Sequence, residues 1–444
     1  MRKKKPFTIL ISLLLCVTLS ACELPDFMYD ISEQIDGKVD DFGNMLNGEE
    51  PEEFTYTDPE PYTAPKIDID PEVSEEVIDI GGEAGDDEGS SGDIKVNVED
   101  DAALVQKLSE ERYYAYGTLT QEERRLYRSI YTTLFDFAEK VPLDTLDADL
   151  VDRVFDCVLA DNPELFYVKG YNLTRYTRGG TVVGMAISGM NTMTKGDSLV
   201  HQEKADAYVR TCLDGAPQTD DDYEKIKYLY EYIIRNTEYD INAQDDQNYL
   251  SVFENGRSVC QGYAKAMQYM MLRMGLFCTF VRGVTNKGES HAWNLVRSNG
   301  DYYYVDVTWG DASYDITAMG DMADLPVMPE VSYEYLCVPA DDIKLTHTLN
   351  SSFPLPECTV RYDNYFVRNG NYFTEVSDEM LTEVFNRAYD NGESAVTVKC
   401  SDPMVYAQMR RYLIDDNSIF SFLRGRKNVE YSSIDKLNEL IFYI

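Results

Sequence analysis

Three residues of this 444-residue chain have the types and spacing for thiol chemistry: Cys260, His291 and Asp306. Residues 258–270 read Ser-Val-Cys-Gln-Gly-Tyr-Ala-Lys-Ala-Met-Gln-Tyr-Met, an amphipathic pattern with the cysteine in its first turn. Ser258 is expected to cap this helix, with Gln261 completing a capping box. Cys260 then lies beside unpaired backbone N–H groups at the positive end of the dipole, where the nucleophilic thiolate is favoured over the thiol. A helical cysteine is more often a small buried hydrophobe, so position alone does not make Cys260 a nucleophile.

A base is supplied by a hairpin further along. Asn299-Gly300 is the strongest short hairpin signal in the chain. A loop centred there pairs His291 with Thr308 and Trp293 with Asp306, and strand alternation puts all four on one face. His291 and Asp306 become diagonal neighbours, roughly 7–8 Å apart at the backbone and within side-chain reach. A carboxylate there fixes the tautomer of the imidazole and stabilises its cation, leaving the other ring nitrogen for the thiol. The other histidines, His201 on a helix face and His347 in a loop, have no matching carboxylate and are expected to be structural.

Around these residues the chain reads as an α+β protein. Thr120 and Glu123 form a capping box before Leu126, Ile130, Leu134 and Phe137. A second helix carries Leu150, Val154 and Val158 and stops at Asp161-Asn162-Pro163. A short strand is expected over 165–168, then a hairpin of 171–176 and 181–187 around Arg178-Gly179-Gly180. Helices follow over 201–212 and from near Thr219 to Asn236. The cysteine helix runs to Met274, with Gly275 as its stop. Strands at 279–284, 291–297 and 302–309 come next. The C-terminal residues read as a small α/β unit, with a hairpin at Asn369-Gly370, a helix over 378–389, a strand over 395–400 and a helix after Pro403.

Composition bounds the partners. The formal charge of -39 argues against nucleic acid, which needs clustered Lys and Arg. Between Glu23 and Asp101 there are 27 acidic residues against 3 Lys, in a stretch rich in Gly and Pro that is expected to be a disordered tether. Before it, a basic Met1-Arg-Lys-Lys-Lys, an apolar run over 7–17 and Leu19-Ser20-Ala21-Cys22 resemble a bacterial lipoprotein signal. This implies cleavage before Cys22, a lipid on that residue and an extracytoplasmic, membrane-anchored protein. The resulting division is signal peptide 1–21, lipidated cysteine and acidic linker 22–101, helical region with hairpin 102–190, cysteine-bearing core 191–350 and accessory α/β unit 351–444. Seven cysteines then remain in the mature chain, an odd number with no Cys-x-x-Cys spacing.

Val259-Cys260-Gln261-Gly262-Tyr263-Ala264, His291-Ala292-Trp293-Asn294 and Asp306-Val307-Thr308-Trp309-Gly310 resemble the three motifs of the transglutaminase-like superfamily, in the same order. The likeness covers about residues 223–347. It implies a papain-like core, with a cysteine helix packed on an antiparallel sheet. It also implies Cys260 as nucleophile, His291 as general base and acid, and Asp306 as orienting carboxylate. The oxyanion donors implied are the Cys260 N–H and one upstream side chain, with Tyr249 and Asn255 as candidates. Trp293 and Trp309 are expected to wall the cleft or the core. The chemistry implied is attack on a peptide or glutamine amide carbonyl of a protein or peptide, including wall-associated ones, through a thioester. Water as acceptor makes a peptidase or deamidase, and an amine makes a transamidase. No cofactor or metal is expected: Asp220-Asp221-Asp222 reads as a helix start, and no calcium loop is present. The alternative is a surface binding or scaffold protein that keeps the fold without turnover.

Overall fold

The computed structural model describes residues 73–80, 113–244, 247–311 and 331–444. The signal, Cys22 and most of the acidic segment lie outside these residues.

Helix α1 (Gln121–Phe135) starts as its sequence dictates: the Glu123 N–H donates to the Thr120 hydroxyl, and the Thr120 N–H to the Glu123 carboxylate at 2.8 Å. Helix α2 (Ala148–Asp161) is capped by Asp147. Their apolar stripes, Leu126, Ile130 and Leu134 against Val151, Val154 and Val158, are buried. The expected strand over 165–168 is instead a pair of turns, because Leu165 N–H bonds to the Asn162 carbonyl and Val168 N–H to that of Leu165.

Strands β3 (Val168–Arg178) and β4 (Thr181–Asn191) form the expected hairpin, with β2 (Val141–Leu143) at one edge. The other edge is covered by β1 (Val73–Ile80), from the segment expected to be a disordered tether. An open edge strand leaves a row of unpaired N–H and C=O groups. β1 answers that row in antiparallel register, from Val73 opposite Arg178 to Ile80 opposite Tyr171.

Helix α3 (Lys195–Asp214) is longer than its sequence pattern indicated, starting at a Thr194 cap. Helix α4 (Asp222–Asn236) is capped by Asp221. Two short parallel strands, β5 (Glu238–Tyr239) and β6 (Arg257–Ser258), then deliver the chain to helix α5 (Cys260–Arg273). This helix packs on an antiparallel sheet of β7 (Cys278–Thr285), β8 (Ser290–Ser298), β9 (Asp301–Val305) and β10 (His347–Leu349), in the order β10-β7-β8-β9. The Asn294 amide donates to the Ala264 carbonyl at 2.9 Å, and Ala264, Phe280 and Ala292 pack between helix and sheet.

One hydrophobic cluster runs from Leu126 and Val154 through Tyr230 to Met267 and Val305, so the N-terminal helices and the cysteine helix share a core. Polar contacts reinforce it. Lys265 and Gln268 of α5 donate to the carbonyls of Leu159 and Ala160 in the last turn of α2, satisfying groups that a helix end leaves unpaired. At the same place the buried Asp161 carboxylate accepts from the N–H groups of Ala115 (3.0 Å) and Tyr116 (2.8 Å) and from the Tyr127 hydroxyl. Asp161→Asn removes one acceptor oxygen from three donors. Thermal unfolding should show a loss of roughly 2–3 kcal/mol; an unchanged transition would mean that the donors find other partners.

The C-terminal unit has its own core around Phe373, Phe385, Val398, Leu440 and Phe442. Its sheet runs β11 (Tyr372–Phe373), β12 (Ala395–Cys400), β14 (Glu439–Tyr443), β13 (Glu430–Ile434), flanked by helices α6 (Asp378–Asn391) and α7 (Pro403–Arg410). The hairpin expected at Asn369-Gly370 does not form. β11 is parallel to β12, and the Asn-Gly pair ends the one-turn helix Tyr365–Arg368, with Gly370 at φ +69.

Candidate active site

Cys260 is the first residue of α5, one position earlier than a Ser258 cap would put it. Ser258 is drawn into β6, where it is buried and its hydroxyl bonds that of Ser251 at 2.6 Å, while Gln261 donates to the Gln247 carbonyl. No side chain caps the helix. The N–H groups of its first turn therefore stay free of a competing side-chain acceptor beside the sulfur, which is the position an oxyanion would use.

Strand β8 brings in His291. Its register with β9 follows the Asn299-Gly300 turn as expected, from Ser298 opposite Asp301 to Asn294 opposite Val305. The ladder ends there, short of the strand expected to reach Trp309. The Asp306 Oδ1 accepts from the N–H groups of Thr308 (3.0 Å) and Trp309 (3.2 Å), and this local turn pulls 308–310 into a 3-10 helix. Gly310 is required at its end, because any Cβ there would collide with the Tyr230 ring.

The other carboxylate oxygen, Asp306 Oδ2, lies 2.7 Å from His291 Nε2. Both side chains are buried. Cys260 also acts on His291, in the same direction as Asp306. Burial alone would pull the imidazole below its ordinary value, but the Asp306 carboxylate and then Cys260 push it up to about 10. Burial likewise works to raise Asp306, and is outweighed by His291 and by hydrogen bonds from two histidines, which hold the carboxyl well below the usual range.

The second histidine is His347, which the sequence left in a loop without a carboxylate. It begins β10, paired beside β7 at Thr285, and its Nε2 lies 3.1 Å from the same Asp306 Oδ2. Trp293, Trp309 and Tyr335 surround it, with ring centroids 4.8, 4.5 and 5.3 Å away. Both tryptophans are thus core residues behind the site, packed around the two imidazoles. Gly283 makes room for this layer: a side chain there would run into Trp293 and the Thr348 carbonyl.

Other residues singled out in the sequence go elsewhere. His201 does have a carboxylate, Glu254, 2.5 Å from its Nδ1, on the partly exposed face of α3. Tyr249 is wholly buried, its hydroxyl donating to Gln202 and its ring packed on Phe166 and Tyr269, so it is not free to serve an oxyanion. Asn255 is exposed and donates to the Gln244 carbonyl. Among the described residues, His291, Asp306 and His347 are the group able to converge on a metal ion, with ligand atoms within 4.8 Å of one another. Those atoms are already hydrogen-bonded together, so an ion would have to displace the protons between them.

The seven cysteines among the described residues are free thiols, and six of them are buried. Burial pushes Cys157, Cys212 and Cys400 up to about 12 and Cys358 to about 11, and raises Cys278 and Cys337 further still. Cys260 alone among them reaches solvent.

Residues 212–307 match the family model described as Transglutaminase-like superfamily. Kyphoscoliosis peptidase from Mus musculus is 22% identical over 226 residues, which is 47% of this chain and 33% of that protein. The Homo sapiens kyphoscoliosis peptidase is 23% identical over the same shares. The chain therefore spans about a third of the length of these relatives. Among solved structures, one described as a TGase is 17% identical with a TM-score of 0.24, covering 32% of this chain and 44% of its own. Cys260, His291 and Asp306 all fall inside the matched residues, and the chain carries a transglutaminase-like domain.

Proposed function

We propose that the protein is a cysteine acyl-transfer enzyme acting on peptide or glutamine amide carbonyls, held at the outer face of a bacterial membrane by a lipid on Cys22. The observation that carries the reading is the buried His291–Asp306 pair, 2.7 Å apart, with Cys260 acting on the same imidazole from an uncapped helix end. Asp306 keeps His291 cationic, and an imidazolium is the counter-ion of a thiolate. The sulfur attacks the amide carbon, and the tetrahedral oxyanion is met by N–H groups of the first turn of α5. His291 gives its proton to the leaving nitrogen, the C–N bond breaks and a thioester remains on Cys260. Water or an amine then loses a proton to His291 and attacks the thioester, the C–S bond breaks, and acid or new amide is released with the thiolate and imidazolium restored.

Wild type and Cys260→Ala should be incubated with a peptide library, with and without a primary amine, and the products read by mass spectrometry. Cleavage, deamidation or amine incorporation that depends on Cys260 identifies the acceptor. Iodoacetamide should label Cys260 ahead of the six buried thiols, and His291→Ala should slow that labelling at least tenfold. A wild type with no Cys260-dependent product, and labelling indifferent to His291, would point instead to a surface binding protein that keeps the fold without turnover.

A further inference from the structure

We propose that His347 is a positioning residue of this site: it shares Asp306 Oδ2 with His291, fixing the carboxylate and moderating its pull on the His291 imidazole. The inference rests on the reading of Cys260, His291 and Asp306 as the reacting trio.

A carboxylate has about four lone-pair directions. Here all are used, by Thr308 and Trp309 N–H on Oδ1 and by the two histidines on Oδ2. Asp306 therefore cannot swing away from His291 without leaving buried donors unpaired. The proton on His347 is assigned by its other neighbours. Its Nδ1 lies 2.9 Å from the Thr346 hydroxyl, and that oxygen lies 2.8 Å from the Tyr335 hydroxyl. A carboxylate needs a donor at Nε2, so Nε2 carries the hydrogen. The Thr346 hydroxyl is nearer to Nδ1 (2.9 Å) than to the Ile343 carbonyl (3.5 Å), so Nδ1 accepts from Thr346, and Thr346 accepts from Tyr335.

His347 is the neutral member of the pair. Burial, and then the charge on His291, pull it below its ordinary value against the opposing effect of Asp306. The groups facing the two rings are Asp306, Cys260, Thr346 and Tyr335. Tyr230 borders Asp306, and Glu334 and Lys399 act on Tyr335. An uncharged donor on Oδ2 takes up part of the negative charge without adding a positive one. His291 is thus kept cationic, yet able to release its proton to a leaving amine.

The chain has three histidines, so nitrogen NMR of labelled imidazoles resolves each of them. Wild-type His347 should be the neutral Nε2–H tautomer at pH 7; a cation or an Nδ1–H tautomer there would overturn the assignment. His347→Asn puts an amide where Nδ1 was and cannot reach Asp306, whereas His347→Gln puts its amide where Nε2 was. In the asparagine variant the His291 titration should move up by on the order of one pH unit, the equivalent of one charge-assisted hydrogen bond handed to a single partner. The glutamine variant should bring it back. A purely structural role would lower the melting temperature of both without moving the midpoint, and would sink the proposal. Since these readouts need no substrate, a missing Cys260-dependent product would fault the proposed activity alone. Normal turnover with an unmoved His291 in His347→Asn would fault this inference alone.

Discussion

Asp306→Asn should abolish turnover while leaving the fold intact, with a fall in kcat on the order of 10⁴. The size follows from which way the amide must point. Two backbone donors, Thr308 and Trp309 N–H, sit on Oδ1, so the asparagine oxygen is held there and its NH2 group faces both histidines. His291 Nε2 is then offered a donor where it had an acceptor. The imidazole takes its proton on Nδ1, the nitrogen left for Cys260, and loses the charge that raised its basicity. Reversal of the amide would set NH2 against two N–H groups in a buried space, which costs more than it relieves. The checks are Cys260 alkylation, which should slow in parallel with turnover, and an unchanged circular dichroism spectrum. Turnover within tenfold of wild type would mean that the carboxylate charge is not what His291 requires.

Lys399→Met should be the most damaging single change outside the site. Lys399 in β12 lies between Glu439 of β14 and Glu334, 3.1 Å from the latter, and all three are buried. Burial works against the lysine charge, but the two carboxylates hold its pKa well above the ordinary range. Burial and then the nearby Glu334 push the Glu439 acid up, even with the lysine beside it. Removing the one cation leaves two carboxyl groups facing each other out of water, a change that typically destabilises by about 3–5 kcal/mol. Urea unfolding should show it. Most of the loss should return when Lys399→Met is combined with Glu334→Gln and Glu439→Gln, since a neutral trio carries no unpaired charge. The effect should also be felt at the site. Glu334 precedes Tyr335, whose carbonyl accepts the Asp306 N–H at 3.0 Å and whose hydroxyl bonds Thr346. Cys260 alkylation should therefore slow in the single variant and recover in the triple one.

What could be read from sequence was local. The Asn299-Gly300 turn set the register that brings His291 towards Asp306, because a two-residue loop leaves one pairing. The Thr120 capping box was legible for the same reason, as both partners lie within one turn. Where a distant contact competed, the reading failed. Ser258 looks like a cap, but a parallel pairing with β5, about twenty residues upstream, buries it. Residues 302–309 alternate like a strand, but the Asp306 carboxylate finds the amides of Thr308 and Trp309 first, and the ladder stops at Val305. His347 was missed because its partner is 41 residues away and its strand is three residues long. The signal available was a glycine at 283 with nothing local to explain it.

The hydrogen bonds from Lys265 and Gln268 to the end of α2 bear on how the protein can be cut. A fragment trimmed to 212–307 would keep Cys260, His291 and Asp306 and look sufficient on paper. It would lose the helix whose terminal carbonyls those two side chains satisfy, exposing the apolar flank of α5 to water. It would also lose β10, so that β7 became an uncovered sheet edge, ready to pair with another molecule. The smallest piece worth expressing therefore starts ahead of Val73, so that β1 still covers β3, and runs past Leu349; a shorter one should be found in the pellet.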